Sequence, residues 1–255
     1  MQRVKTIGII GGMGPEATNL LCQLITALTP ANCDQQHIPV LTFNNSAIPN
    51  RGQAIFQAGA SPLPELVRTA RVLEAAGADF LLMPCITAHF YLEPLQAALS
   101  IPVVDMVQIT IQFIAANYPT LKRIGVIGST ATLKCGLYDR FLHAAGCKSV
   151  LTTDALQATV MNAIFGEVGI KAGFIDGPRE ELLLAAQELV GNGAQAIIAG
   201  CTEVSLVLKD GDLSVPIIDS LKILAALAVE LALTEAEDVA PQMASCLPSP
   251  HGVAE

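Results

Sequence analysis

The 255-residue chain has no tryptophan and only three tyrosines, and aromatic residues make up 4% of it. A surface built to stack nucleobases is therefore not expected. Basic residues are outnumbered: 14 Lys and Arg stand against 23 Asp and Glu, giving a net charge of −9. That balance argues against a phosphate-backbone binder, so no nucleic-acid partner is expected. Charged residues are 15% of the chain and hydrophobic ones 52%, yet charges, Gly or Pro interrupt every apolar stretch before it is long enough to cross a bilayer. No membrane partner is expected. The first residues, Met1-Gln-Arg-Val-Lys, lack the basic, apolar and cleavage regions of a secretory leader. A cytoplasmic location follows as the expectation. The seven cysteines include no Cys-x-x-Cys pair and no His/Cys cluster, so a metal site is not expected.

What is present is a repeat. Gly77-Ala-Asp-Phe-Leu-Leu-Met-Pro-Cys85-Ile-Thr87 matches Gly193-Ala-Gln-Ala-Ile-Ile-Ala-Gly-Cys201-Thr202-Glu203. Each places a Cys eight residues after a Gly, at the end of an apolar run. Each is followed by an Ile/Val-Pro-x-x-Asp segment, ending at Asp105 and at Asp219. Upstream, Lys5-Thr-Ile-Gly8-Ile-Ile-Gly11-Gly12 resembles Lys122-Arg-Ile-Gly125-Val-Ile-Gly128-Ser129. Gly8 precedes Cys85 by 77 residues and Gly125 precedes Cys201 by 76.

Strand and helix patterns alternate along the chain. Strands are expected at 4–10, 37–43, 79–83, 102–104, 123–127, 149–151 and 196–199. Helices are expected at 15–28, 64–76, 92–99, 107–117, 133–145, 154–166, 180–192 and 221–231. Alternation of this kind indicates α/β architecture with parallel sheets. With the repeat, it predicts two pseudo-symmetric parallel-sheet α/β domains and an active site in the cleft between them. Residues 1–106 plus 221–235 are expected to form the first domain and 107–220 the second. The Pro-, Ser- and Ala-rich segment 236–255 is expected to be a disordered tail. In open parallel sheets, ligands bind beyond the carboxyl ends of the strands. That rule puts Cys85 and Cys201 on either side of the cleft. There, the first N–H groups of a following helix would stabilise thiolate and lower its pKa.

Two opposed thiols without metal-ligand company, in a compartment that disfavours disulfides, suit proton transfer on both faces of a carbon acid. One thiolate removes an α-proton and the opposite thiol supplies another, inverting configuration. The reverse reaction exchanges the roles, so two residues of one type are required.

Three segments carry a family resemblance. Gly8-Ile-Ile-Gly-Gly-Met-Gly-Pro-Glu-Ala-Thr18 resembles the opening of aspartate racemases in the aspartate/glutamate racemase superfamily. Met83-Pro-Cys85-Ile-Thr-Ala-His89 resembles that family's first catalytic segment, usually Pro-Cys-Asn-Thr-Ala-His. Gly200-Cys-Thr-Glu203 resembles the second, where glutamate racemases more often have Gly-Cys-Thr-His. The resemblance spans about residues 5–231. It implies a racemase independent of pyridoxal phosphate or any other cofactor, with Cys85 and Cys201 as the acid/base pair, a small-molecule amino-acid substrate, aspartate by preference, and a homodimer. It also implies substrate-carboxylate roles for Arg51, in Ile48-Pro-Asn-Arg51, and Lys171, in Ile170-Lys171-Ala-Gly173.

Around these, Met13 is expected to present backbone to the substrate, and Thr87 and Thr202 to orient it. Ser129, Thr130 and Thr132 occupy the second half's equivalent of the Met13 turn, where hydroxyls suit carboxylate, ammonium or simple helix capping. Glu203 suits the ammonium group or Cys201. Ile86 replaces the family's Asn and removes an amide from the site. Racemisation of glutamate or another acidic amino acid, a paired-cysteine isomerase or decarboxylase, and a non-catalytic amino-acid-binding module are the alternatives.

Overall fold

The computed structural model describes residues 4–234; the expected disordered tail at 236–255 lies outside them. The chain opens with β1 (Ile7–Gly11), α1 (Pro15–Leu28), β2 (Val40–Asn44), α2 (Arg51–Ile55), α3 (Leu63–Ala75), β3 (Phe80–Leu82), α4 (Leu92–Gln96) and α5 (Met106–Asn117). It continues with β4 (Arg123–Ile127), α6 (Thr130–Lys134), α7 (Asp139–Ala144), β5 (Lys148–Val150), α8 (Asp154–Phe165) and α9 (Asp176–Gly191). Last come β6 (Ala196–Ala199), α10 (Val204–Val207), β7 (Ile217–Asp219) and α11 (Ser220–Leu233).

These elements form two parallel-sheet α/β regions. One sheet has the order β2-β1-β3 and the other β5-β4-β6-β7. The difference in strand number is small in space. Leu81 of β3 makes a parallel bridge to Val103, which takes the place that β7 takes beside β6. Of the strand expected at 102–104, only this bridge forms. Its Pro102 has no N–H to add to a ladder, and its carbonyl accepts from the Leu81 N–H at 2.8 Å. Pro216 does the same for Ile197 at 2.9 Å.

The repeat is visible in side-chain detail. A methyl group on Gly8 would meet Leu81, Ala78 and Leu73 within 3.4 Å; one on Gly125 would meet Ile197, Ala194 and Leu189 within 3.3 Å. These are corresponding residues of the two repeats, and in both a helix lies on its strand with no room for a side chain between. Asp105 and Asp219 also correspond. Each caps the helix after it: Asp105 Oδ1 accepts from Val107 and Gln108 N–H, and Asp219 Oδ1 from Leu221 and Lys222 N–H. An Asp at this position satisfies N–H groups that have no partner within the helix.

The helix expected at 133–145 is two helices, α6 and α7. Gly136 between them has φ +59°, a left-handed residue that ends one helix and redirects the chain into the next. Helix α11 packs against α1 and α5. It is apolar on nearly every side because one buried cluster joins Ile7 and Ile9 of β1, Ile124 and Val126 of β4, and Leu221, Leu224 and Ala228 of α11. The two sheets thus share a core across α5 and α11, while separate clusters fill the outer faces.

Candidate active site

The carboxyl ends of β1, β3, β4 and β6 point into one region, and each is followed by a segment of the repeat. A cavity of about 350 Å³ opens there. Met13, Arg51, Cys85, Ile86, Thr87, Ser129, Thr130, Lys171, Cys201, Thr202 and Glu203 all line it. Every residue expected in the site is therefore brought together, with Thr132 one step behind. Thr132 is 1% exposed, and its hydroxyl lies 2.9 Å from Thr87 Oγ1 and 3.1 Å from Ser129 Oγ. It positions the two hydroxyls that do face the cavity.

Contacts cross from one half to the other on both sides of the cavity. Thr87, two residues after the first Cys, reaches Ser129 and Thr132 of the second half. Thr202, next to the second Cys, donates to the Pro84 carbonyl of the first half at 3.2 Å. The segments carrying the two thiols are thus each tied to the other sheet region.

Cys85 and Cys201 are buried, at 6% and 8% exposure, and both line the cavity. Cys85 precedes a 3₁₀ turn over Ile86–Tyr91. Four residues after it, His89 ties its backbone in place. His89 Nε2 accepts from the Met106 N–H at 3.0 Å, so the ring proton is on Nδ1 and donates to the Cys85 carbonyl at 2.9 Å. The histidine is a strut between the Cys85 turn and the start of α5. Ser205, four residues after Cys201, is its counterpart: it donates to Asp219 Oδ1 at 2.7 Å, at the start of α11.

The surroundings of Cys201 differ from the simple expectation. Sγ–H donates to Glu203 Oε2 at 2.8 Å. Burial pushes the Cys201 thiol well above its ordinary pKa, the Glu203 carboxylate pushes it the same way, and Lys171 only partly offsets them. The expected lowering by backbone N–H groups is present, from Glu203 N–H, but burial and the Glu203 carboxylate outweigh it. At neutral pH Cys201 carries its proton.

Glu203 is 3% exposed and forms an ion pair with Lys171. Burial works to lower the Lys171 ammonium, but the charge and hydrogen bond of Glu203 help to overcome it, and the net shift is upward. Lys171 Nζ also reaches the Met13 carbonyl at 3.4 Å. Arg51 Nη2 donates to the same carbonyl at 3.1 Å, while Nη1 donates to Pro49 O at 3.0 Å and Ile48 O at 3.4 Å. Arg51 Nε is buried without a partner. Among the described residues no carboxylate pairs with Arg51, so its charge is left for an anion.

Two glycines shape the Met13 loop. Gly12 has φ +95°, and a methyl group there would lie 2.2 Å from the Asn45 carbonyl oxygen. A methyl on Gly14 would lie 2.8 Å from Glu203 Oε1 and 3.0 Å from Lys171 Nζ. The ion pair therefore rests directly on the backbone of the loop.

Sequence reasoning did not name Phe56, Ala58, Ala131, Met161 or Phe165, which also line the cavity. Their proximity to Arg51, Thr130 and Lys171 in the chain was the available signal; apolar identity concealed it, because in a pattern such residues read as core.

A family model described as Asp/Glu/Hydantoin racemase matches residues 10–228. The chain is 29% identical over 221 residues to the broad specificity amino-acid racemase RacX of Bacillus subtilis (strain 168), covering 84% of this chain and 92% of that protein. Picrophilus torridus aspartate racemase superposes with a TM-score of 0.79 at 28% identity, covering 89% of this chain and 94% of the other. Francisella tularensis glutamate racemase, solved with D-glutamate, superposes with a TM-score of 0.61 at 19% identity over 90% of this chain and 81% of that one, a likeness of fold alone.

Proposed function

The chain belongs to the Asp/Glu/Hydantoin racemase family, and from that premise we propose that it is a cofactor-independent amino-acid racemase in which Cys85 and Cys201 are the acid/base pair. The observation that carries the reading is that the two cysteines, from corresponding points of a repeat, open onto one cavity with both charges of an amino acid matched around them. Glu203 suits the α-ammonium group, and Lys171 and Arg51 suit carboxylate.

Removing the α-proton leaves the electron pair delocalised into the α-carboxylate, which then carries additional negative charge. Fixed cations beside it stabilise that charge without reorganising. In the resting state Cys201 holds its proton on Glu203. A turnover from this state takes the α-proton onto Cys85 and delivers the proton of Cys201 to the opposite face. The product leaves with the thiols in exchanged states, ready for the reverse reaction.

Aspartate is the substrate we propose first. The aspartate racemase likeness favours it, as do the two cations available for its two carboxylates. The location we infer is cytoplasmic; among the described residues no helix is long and apolar enough to cross a membrane. A homodimer, and the division into 1–106 with 221–235 and 107–220, complete the proposal. The packing of α11 on α1 supports that division.

The test is incubation of the purified protein with L-aspartate in deuterium oxide. A racemase introduces deuterium at the α-carbon while optical rotation decays. Ligand-dependent thermal stabilisation with no exchange would instead identify a binding module.

A further inference from the structure

We propose that the cavity contains an apolar subsite, and that the protein also racemises neutral amino acids with long, flexible apolar side chains of the methionine or norleucine kind. The inference rests on the racemase reading and specifies what the side-chain end of the same site admits.

The ionic groups of the cavity are few and gathered. Arg51 and Lys171 both bind the Met13 carbonyl, at 3.1 and 3.4 Å, and Glu203 pairs with Lys171. These three groups suffice for an α-ammonium and an α-carboxylate, which every amino acid carries. No other charged residue lines the cavity. The hydroxyls of Thr87 and Ser129 are already bonded to each other and to Thr132.

Asn50, Gln53 and Thr130 add polar groups to the rim, but most of the remaining wall is apolar: Phe56 and Ala58 from the first half, Ala131, Met161 and Phe165 from the second, and Ile86 beside Cys85. Ile86 is 2% exposed and offers no hydrogen bond where the resembling family has an amide. Phe56 and Phe165 are 49% and 40% exposed although they line a cavity. Their rings stand half in water, at a wall that an occupant would cover. Met161, unbranched and flexible, suits a wall that adapts to side chains of different shape.

Size points the same way. At about 350 Å³ the cavity lies in the range of pockets that bury drug-sized ligands, about 300–1,000 Å³. A short acidic side chain leaves the aromatic part of this wall wet. A carboxylate turned toward the Phe56, Met161 and Phe165 part of that wall, and away from Arg51 and Lys171, would lose hydration without gaining a charged partner. A long apolar chain displaces the same water favourably.

The experiment measures α-proton exchange and racemisation in deuterium oxide for L-alanine, L-aspartate, L-methionine and L-norleucine, with chiral separation and mass detection. We expect kcat/KM for methionine and norleucine at least tenfold above that for alanine. Phe165→Ser should lower kcat/KM for methionine at least fivefold more than for alanine. If that variant does not fold, Met161→Gln, which keeps length but places an amide on the wall, should discriminate in the same direction. Exchange with aspartate or alanine but with neither methionine nor norleucine overturns the subsite and leaves the racemase reading standing. Exchange with none of the four overturns both. A folded variant with unchanged methionine-to-alanine discrimination also overturns the subsite.

Discussion

The turn after β1 and the turn after β4 begin from corresponding sequence and do different things. After β1, the chain passes through left-handed Gly12, then Met13 and Gly14, before α1 starts at Pro15. After β4, Ser129 caps α6 directly, its Oγ accepting from the Thr132 N–H at 3.2 Å. The longer turn gathers cations on one carbonyl, that of Met13. The shorter one presents hydroxyls. The same divergence separates the two cysteines: His89 braces the backbone of Cys85, whereas Glu203 accepts the thiol proton of Cys201. The repeat supplies two equivalent frames. Local differences between them make one wall of the site cationic and give one thiol a carboxylate partner.

The sharpest way to break the comparison is to remove each thiol in turn. Cys85→Ser and Cys201→Ser should each reduce racemisation by about 10²–10⁴-fold, the range for a positioned acid or base. Wild-type turnover in either variant, measured by polarimetry, would remove that residue from the pair.

The two turns should also differ in stability. Gly12→Ala forces a side chain into a left-handed backbone and against Asn45, at a cost of about 3 kcal/mol or more. Ser129→Ala loses a cap and should cost about 0.5–2 kcal/mol. Urea unfolding of both variants checks the order; equal losses would mean that the Gly12 turn relaxes.

A third contrast uses pH. On the proposed mechanism, activity fails at high pH when Cys201 loses its proton, so the alkaline limb of the rate profile should follow its pKa. Glu203 raises that pKa and Lys171 lowers it. Glu203→Gln should therefore move the limb to lower pH, and Lys171→Met should move it to higher pH. Shifts in the same direction would contradict the assignment of the limb to Cys201. The smallest effect is expected from Gly14→Ala, whose backbone φ of −108° suits any residue. Its methyl displaces only the ion pair and should raise KM about two- to fivefold with the melting temperature little changed.

Much of this was legible in the sequence because it is local. Helix α1 and strands β4 and β6 lie where their periodicity placed them. The Gly-to-Cys spacing located both thiols, since a strand followed by a turn is a local unit. Helix α2 was missed because it spans only Arg51–Ile55 and is started by the Asn50 side chain, which accepts from the Gln53 N–H at 3.0 Å. The break between α6 and α7 was missed because a single glycine inside an apolar pattern does not reveal its φ. The Lys171–Glu203 pair and the Thr87–Ser129–Thr132 hydroxyls join residues far apart in the chain. The first pair meets when α8 and β6 of the second half pack together, and Thr87 reaches Ser129 and Thr132 only because the two sheets meet. The core shared across α5 and α11 was hidden for the same reason: a helix apolar all round announces burial, but not what buries it.

The central claim is that two different thiols serve the two faces of one α-carbon, and the fate of the α-hydrogen tests it most directly. At low conversion of L-aspartate in deuterium oxide, the D-aspartate formed should be fully deuterated at the α-position while the recovered L-aspartate remains protiated. D-aspartate that retains the original α-hydrogen would mean that a single group carries the proton from one face to the other, and would contradict the account.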